Sequence, residues 1–178
     1  MYWYDRIKKE SIEPVVERIC KDHLFRLTCS FFNISEEEFF KHYEDRETKE
    51  VPKDIFSVSV RMFNKLAPHI GIHHFSMSMS ADTKVPLTVR EALIFVSEVL
   101  CKPTFGKDYF GTIRAASIES GERAIDDSCG FDEEIKPTLD KLGKDNVLLI
   151  RIFGRGDFDG DSRKYISNGV VDNVVDVY

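Results

Sequence analysis

The sequence is short of positive charge. Its 25 Lys and Arg residues face 31 Asp and Glu, which leaves a formal net charge of -6. That imbalance removes the bulk attraction to phosphate behind most non-specific nucleic-acid binding, so nucleic acid is not an expected partner. Long apolar runs are missing too. No stretch approaches the length of a membrane span, and the opening "MYWYDRIKKES" lacks the apolar core of a secretion signal. The four cysteines, Cys20, Cys29, Cys101 and Cys129, include no C-x-x-C pair and stand in or beside apolar stretches, as reduced thiols in a cytoplasmic protein do. Repeats, low-complexity tracts and a G-x-S-x-G nucleophile motif are also lacking, so an enzymatic function has no anchor.

What is present suffices for a folded core. A chain of 178 residues with 42% hydrophobic and 31% charged residues matches ordinary globular usage and buries most of its apolar surface without cross-links. The pattern implies one α+β domain over residues 1–178. A helix-rich part, 1–70, forms a layer on a mixed or antiparallel sheet supplied mainly by the strand-containing part, 71–178.

Helical spacing of Val15, Val16, Ile19, Leu24 and Leu27 predicts a helix after Ser11. Ser35 with Glu38 is a capping box, and Thr88 with Glu91 is another. The first opens "EEEFFKHYEDR" and the second "ALIFVSEVL", which is apolar nearly all round. "IFSVSVRMFNKLA" has both helical and alternating character and is read as helix. "IHHFSMSMS" alternates as a half-buried strand does, and "YFGTIRAASI" is read as a strand as well. "GFDEEIKPTLDKLG" predicts a short helix interrupted by Pro137. "NVLLIRIF" is a continuous apolar run of the kind found in central strands, and "GVVDNVVDVY" predicts a last strand.

The sharpest chemical hint lies in "FGRGDFDGDSRKY". Asp157, Asp159 and Asp161 alternate among glycines, and a loop that delivers carboxylates at its first, third and fifth positions suits a hard divalent cation such as Ca2+ or Mg2+. Locally, "GDFDGD" with "FG" before it resembles the calcium loops of FG-GAP and integrin-type repeats, and more distantly those of EF-hands. The likeness covers about a dozen residues. It departs from those families at Ser162, where they have glycine, at Tyr165, where they have a further ligand, and at Asn168, where an EF-hand has glutamate. The competing reading is a hairpin from "NVLLIRIF" to "RKYISN", with Asp159–Gly160 as its turn and the aspartates hydrated.

His69, His73 and His74 gather in "HIGIHH", but no nearby Cys or Glu completes a zinc spacing, so they read as structural histidines. His74, with Asp82 nearby in sequence, is the candidate base of a metal-dependent hydrolase. "LTCSFFNISEEEFFKHY" has a helix-turn-helix outline, yet its second helix would offer Glu36, Glu37 and Glu38 to phosphates, so it is read as an αα-corner. At the start, Tyr2, Trp3 and Tyr4 stand beside Arg6, the residue types enriched at interface hot spots.

Together these features lead to an acidic cytoplasmic protein-interaction module of the inhibitor, immunity-type or adaptor kind, without a required cofactor. It would hold a protein partner or a second copy of itself, away from membranes, through Tyr2, Trp3, Tyr4, Glu36, Glu37 and Glu38. The alternative is a divalent-metal protein, such as a hydrolase, built on Asp157, Asp159 and Asp161.

Overall fold

Helices and strands are interleaved in the computed structural model of the chain, which describes residues 9, 14–45, 47, 50–72, 80–153 and 165–178. This is the α+β mixture that the sequence pattern implies. Among these residues the strands form three separate two-stranded pairs, two parallel and one antiparallel. Contacts gather the chain into two compact units. One is Asp22–Gly106, and the other combines Met1–Lys21 with Lys107–Tyr178.

In the Asp22–Gly106 unit, which holds all but the first two residues of α1 (Cys20–Phe32), that helix and α2 (Glu36–Glu44) make the expected αα-corner. Asn33 takes a φ of 55°, a left-handed conformation that asparagine tolerates better than most residues. The Ile34 N–H then donates to the Cys29 carbonyl at 3.0 Å, closing the last turn of α1. Ser35 caps α2 by accepting from the Glu38 N–H at 3.1 Å.

The segment read as helix from Ile55 to Ala67 is instead a strand followed by a helix. β2 (Lys53–Ser59) buries Phe56 and Val58 on one face and pairs antiparallel with β3 (Lys84–Leu87), with a register shift between Lys53 and Val58. Ser59 then caps α3 (Val60–Leu66), its hydroxyl accepting from the Met62 N–H at 3.3 Å. The two periodicities in that segment were both real, one after the other.

The second capping box is complete. Thr88 Oγ1 accepts from the Glu91 N–H at 3.1 Å, and the Glu91 carboxylate accepts from the Thr88 N–H at 2.8 Å. It opens α4 (Val89–Ile94), which widens into a π-helical stretch, Phe95–Cys101, before α5 (Lys102–Phe105).

The core of this unit is aromatic. Phe39, Phe56 and Phe95 are 0% exposed. Phe39 meets Phe56 edge-on at 6.3 Å between ring centroids, Phe32 meets Phe56 at 5.4 Å, and Phe25 meets Phe39 at 5.4 Å. Such tilted and edge-to-face contacts satisfy the ring quadrupoles and add to the effect of burial.

The other unit opens with β1 (Val15–Glu17), which lies parallel to β4 (Arg123–Ile125). The helix expected from Ser11 is thus a strand over its Val15–Glu17 part, and α1 begins only at Cys20. Two β-branched residues in succession, with a parallel partner available, outweigh the helical spacing. The strand expected at "YFGTIRAASI" is also corrected. It is a helix, α6 (Tyr109–Ser117), whose buried residues Phe110, Gly111, Arg114 and Ala115 recur at helical intervals. Pro137 does not interrupt α7 (Asp132–Leu142). The bond it cannot donate would go to the carbonyl of Glu133, an exposed residue, while Thr138 and Leu139 just beyond it are buried.

Close approach of α6 and α7 depends on Gly111, since a Cβ there would lie 2.1 Å from the Glu134 carbonyl oxygen. Arg114, only 6% exposed, spans the junction. Its guanidinium pairs with the Asp126 carboxylate and donates to the Glu134 carbonyl at 3.1 Å and to Thr138 Oγ1 at 2.8 Å. Lys141 donates from Nζ to the carbonyls of Ala115 at 2.7 Å and Ile118 at 2.5 Å, capping the C-terminal end of α6 with positive charge.

Candidate interaction surface

β5 (Leu148–Ile152) and β6 (Asn173–Val177) pair in parallel with unbroken register, so that Ile150 sits opposite Val175 and Ile152 opposite Val177. Side chains alternate between faces along a strand, and each face can be assigned from this register. One face carries Leu149 and Val174, which pack against a small aliphatic cluster of Ile135, Leu139, Ile166 and Val171. On the same face Arg151 grips Asp176 with two parallel bonds, Nε to Oδ1 at 2.7 Å and the second amino group to Oδ2 at 2.9 Å. The third nitrogen donates to Asn168 Oδ1 at 2.7 Å. These bonds hold the Asp176 carboxyl below its ordinary range and raise the Arg151 guanidinium further above its own.

The opposite face carries Leu148, Ile150 and Ile152 from β5 and Val175 and Val177 from β6. They are 60%, 50%, 38%, 46% and 41% exposed, respectively. No charged residue occupies this face within either strand, since the sixth position is Asn173. Parallel strands are found almost always with both faces covered, and this pair has one face in water. Near the strand starts, Lys144 and Asp172 lie 3.8 Å apart, and Asp145 adds a second exposed carboxylate.

Tyr2, Trp3, Tyr4, Asp157, Asp159, Asp161, His73 and His74 are outside the described residues. The Asp159–Gly160 turn of the hairpin reading is outside them as well. Its described outgoing part, Tyr165–Asn168, makes no ladder with β5, and Tyr165 instead donates its hydroxyl to the Ile152 carbonyl at 2.7 Å.

Glu36, Glu37 and Glu38 are all exposed and are brought together in the first turn of α2. Carboxylates at that position complement the positive end of the helix dipole, which accounts for them locally. Arg26 approaches Glu36 only to 3.8 Å, and both side chains are well solvated. His69 and Asp82 are exposed, and among the described residues no group of three or more His, Cys, Asp or Glu is placed to hold a metal ion.

A half-open cleft of about 390 Å3 also exists in the Asp22–Gly106 unit, between Phe31, Phe32, Ile55, Met62 and Lys84. Small-molecule sites bring several polar groups to one point. Here Ser57 and Lys84 are the polar side chains left for that role, because the Ser59 hydroxyl is engaged in capping α3.

The surface that stands out in the fold was therefore not singled out by sequence. "NVLLIRIF" reads as a strand covered on both sides, and such a pattern does not reveal which side the chain leaves open. No helix among the described residues is long and apolar enough to cross a membrane. Comparison of the chain with protein-family models, curated proteins and solved structures finds no match.

Proposed function

We propose that the chain is a protein-interaction module, of the inhibitor, immunity-type or adaptor kind, which acts by holding another polypeptide. The observation that carries this reading is the uncharged aliphatic face of β5 and β6. Five side chains at these exposures leave on the order of 400 Å2 of contiguous apolar surface in water, within the range where the largest patch on a soluble protein is often functional. The pattern of β5 supports the same reading. It has the composition of a doubly covered strand, while the fold covers one side. The net charge of -6 keeps such a molecule soluble despite the patch.

The test is photo-crosslinking from a benzophenone side chain placed at Ile150, in lysate of the chain's own source cells. Attachment to a polypeptide, absent when the same probe replaces the exposed Lys65, is the expected result. No polypeptide attached at Ile150 removes the reading, as does turnover of a small substrate that a single change in the Phe31–Met62 cleft abolishes.

A further inference from the structure

We infer that the polypeptide on this face is a second copy of the chain, with the two β5–β6 pairs packed face to face about a twofold axis. This rests on the interaction reading above and adds the identity of the partner. Charge is the first argument. A foreign partner selected by an acidic protein would be basic, and it would need carboxylates at the contact. Positions 148, 150 and 152 with 173, 175 and 177 offer none. Two copies that each carry a net charge of -6 repel wherever their acidic surfaces meet, and an uncharged patch is where the chain can approach itself without that cost.

Symmetry is the second argument. A twofold contact requires one patch to be complementary to itself, and a face of Leu, Ile and Val meets that requirement without matched charges. Stacked sheets sit about 10 Å apart with interdigitated side chains, the spacing that aliphatic residues of this size fill.

Area is the third. Roughly 400 Å2 of side chain per copy, with a polar rim added on each side, brings the total to about 1,000 Å2, the lower end for a specific interface. Association at micromolar concentration is the expectation.

The experiment is sedimentation velocity on the full chain from about 1 to about 100 μM, a range that brackets micromolar dissociation constants. Ile150→Asp and Ile150→Lys are run beside it, with circular dichroism and thermal melting as the check on folding. Ile150 is half exposed, so neither change disturbs a filled core. The expected result is a concentration-dependent dimer whose dissociation constant rises at least about a hundredfold in both variants, as at a central hot spot. Mixing the two variants brings dimer back, because opposite charges then meet. That recovery belongs to self-association, since a basic or acidic foreign partner would tolerate one of the two signs.

A wild-type monomer up to the highest concentration overturns the inference. So does a dimer equally stable in both Ile150 variants and in Val177→Lys. If the chain is monomeric but Ile150 crosslinks to a different polypeptide, the second copy is refuted while the interaction reading stands.

Discussion

Buried polar groups differ in kind between the two units. Among the described residues of Asp22–Gly106 they are the hydroxyls of Thr28, Thr88 and Ser97, each bonded within its own helix or at its own cap. Around them lie phenylalanines and aliphatic side chains. In the unit that contains Lys107–Tyr178 they are Arg114, Glu134 and Thr138, and Arg114 reaches partners 12, 20 and 24 residues away. The apolar cluster behind β5 and β6 is small. One unit is held by non-directional burial of rings, the other by directional bonds between segments distant in sequence. Among the described residues, the second unit also leaves more large aliphatic side chains exposed, and five of them make up the open sheet face.

This contrast is most sharply broken by two substitutions of large and similar expected cost. Phe39→Ala removes a fully buried ring and should destabilise by about 3–5 kcal/mol. Arg114→Met leaves the Asp126 carboxylate, itself only 10% exposed, without its cation, and should also cost about 3–5 kcal/mol. Urea unfolding measures both. The contrast predicts that Asp126→Asn restores part of the stability lost in Arg114→Met and none of that lost in Phe39→Ala. Equal behaviour in the two backgrounds would show that the ion pair contributes no more than its bulk.

A smaller effect, about 1–3 kcal/mol from overpacking, is expected for Gly111→Ala, because the added methyl must push the Glu134 carbonyl away. The same carbonyl accepts from Arg114, so the loss should shrink in the Arg114→Met background. Additive losses would place the strain elsewhere.

The mildest test is acid. His23, on α1, has its pKa lowered from 6.5 by burial and by Arg26. Its neutral form is the one the fold favours, so its contribution is complete above about pH 6.5 and declines as pH falls from there toward the lowered value. Glu122, bonded to the Arg18 guanidinium, and Asp176, bonded to Arg151, are lowered carboxylates. What they contribute is present above the ordinary carboxylate range and is lost only as pH falls through their depressed values. Melting temperature against pH should therefore decline first as pH falls below about 6.5 and again below about 4. His23→Gln should flatten the first step and leave the second.

Much of the local structure was legible in the residues. Ser35 and Thr88 mark true helix starts because their hydroxyls satisfy amide groups a few residues away, which is chemistry internal to the segment. The αα-corner also follows from local chemistry, since Asn33 tolerates the left-handed conformation at its turn. β5 and β6 were visible as strands. The misread segments share another cause. Residues 109–117 owe their buried face to α7, through Gly111 and Arg114, and β1 owes its extension to β4 more than a hundred residues later. Of the candidate site, the composition of the strands was readable and their open face was not. Exposure depends on what lies opposite, and nothing in "NVLLIRIF" records it.

The sequence by itself determined the acidity, the mixture of helix and strand, the caps and the aliphatic character of the last strands. Each follows from charge, or from interactions that span a few residues. Only tertiary structure decided that β5 and β6 run parallel, that Arg114 is buried against the Glu134 carbonyl and the Thr138 hydroxyl, and that one sheet face meets water. Those outcomes depend on contacts between residues far apart in the chain, where burial and pairing free energies exceed local preference.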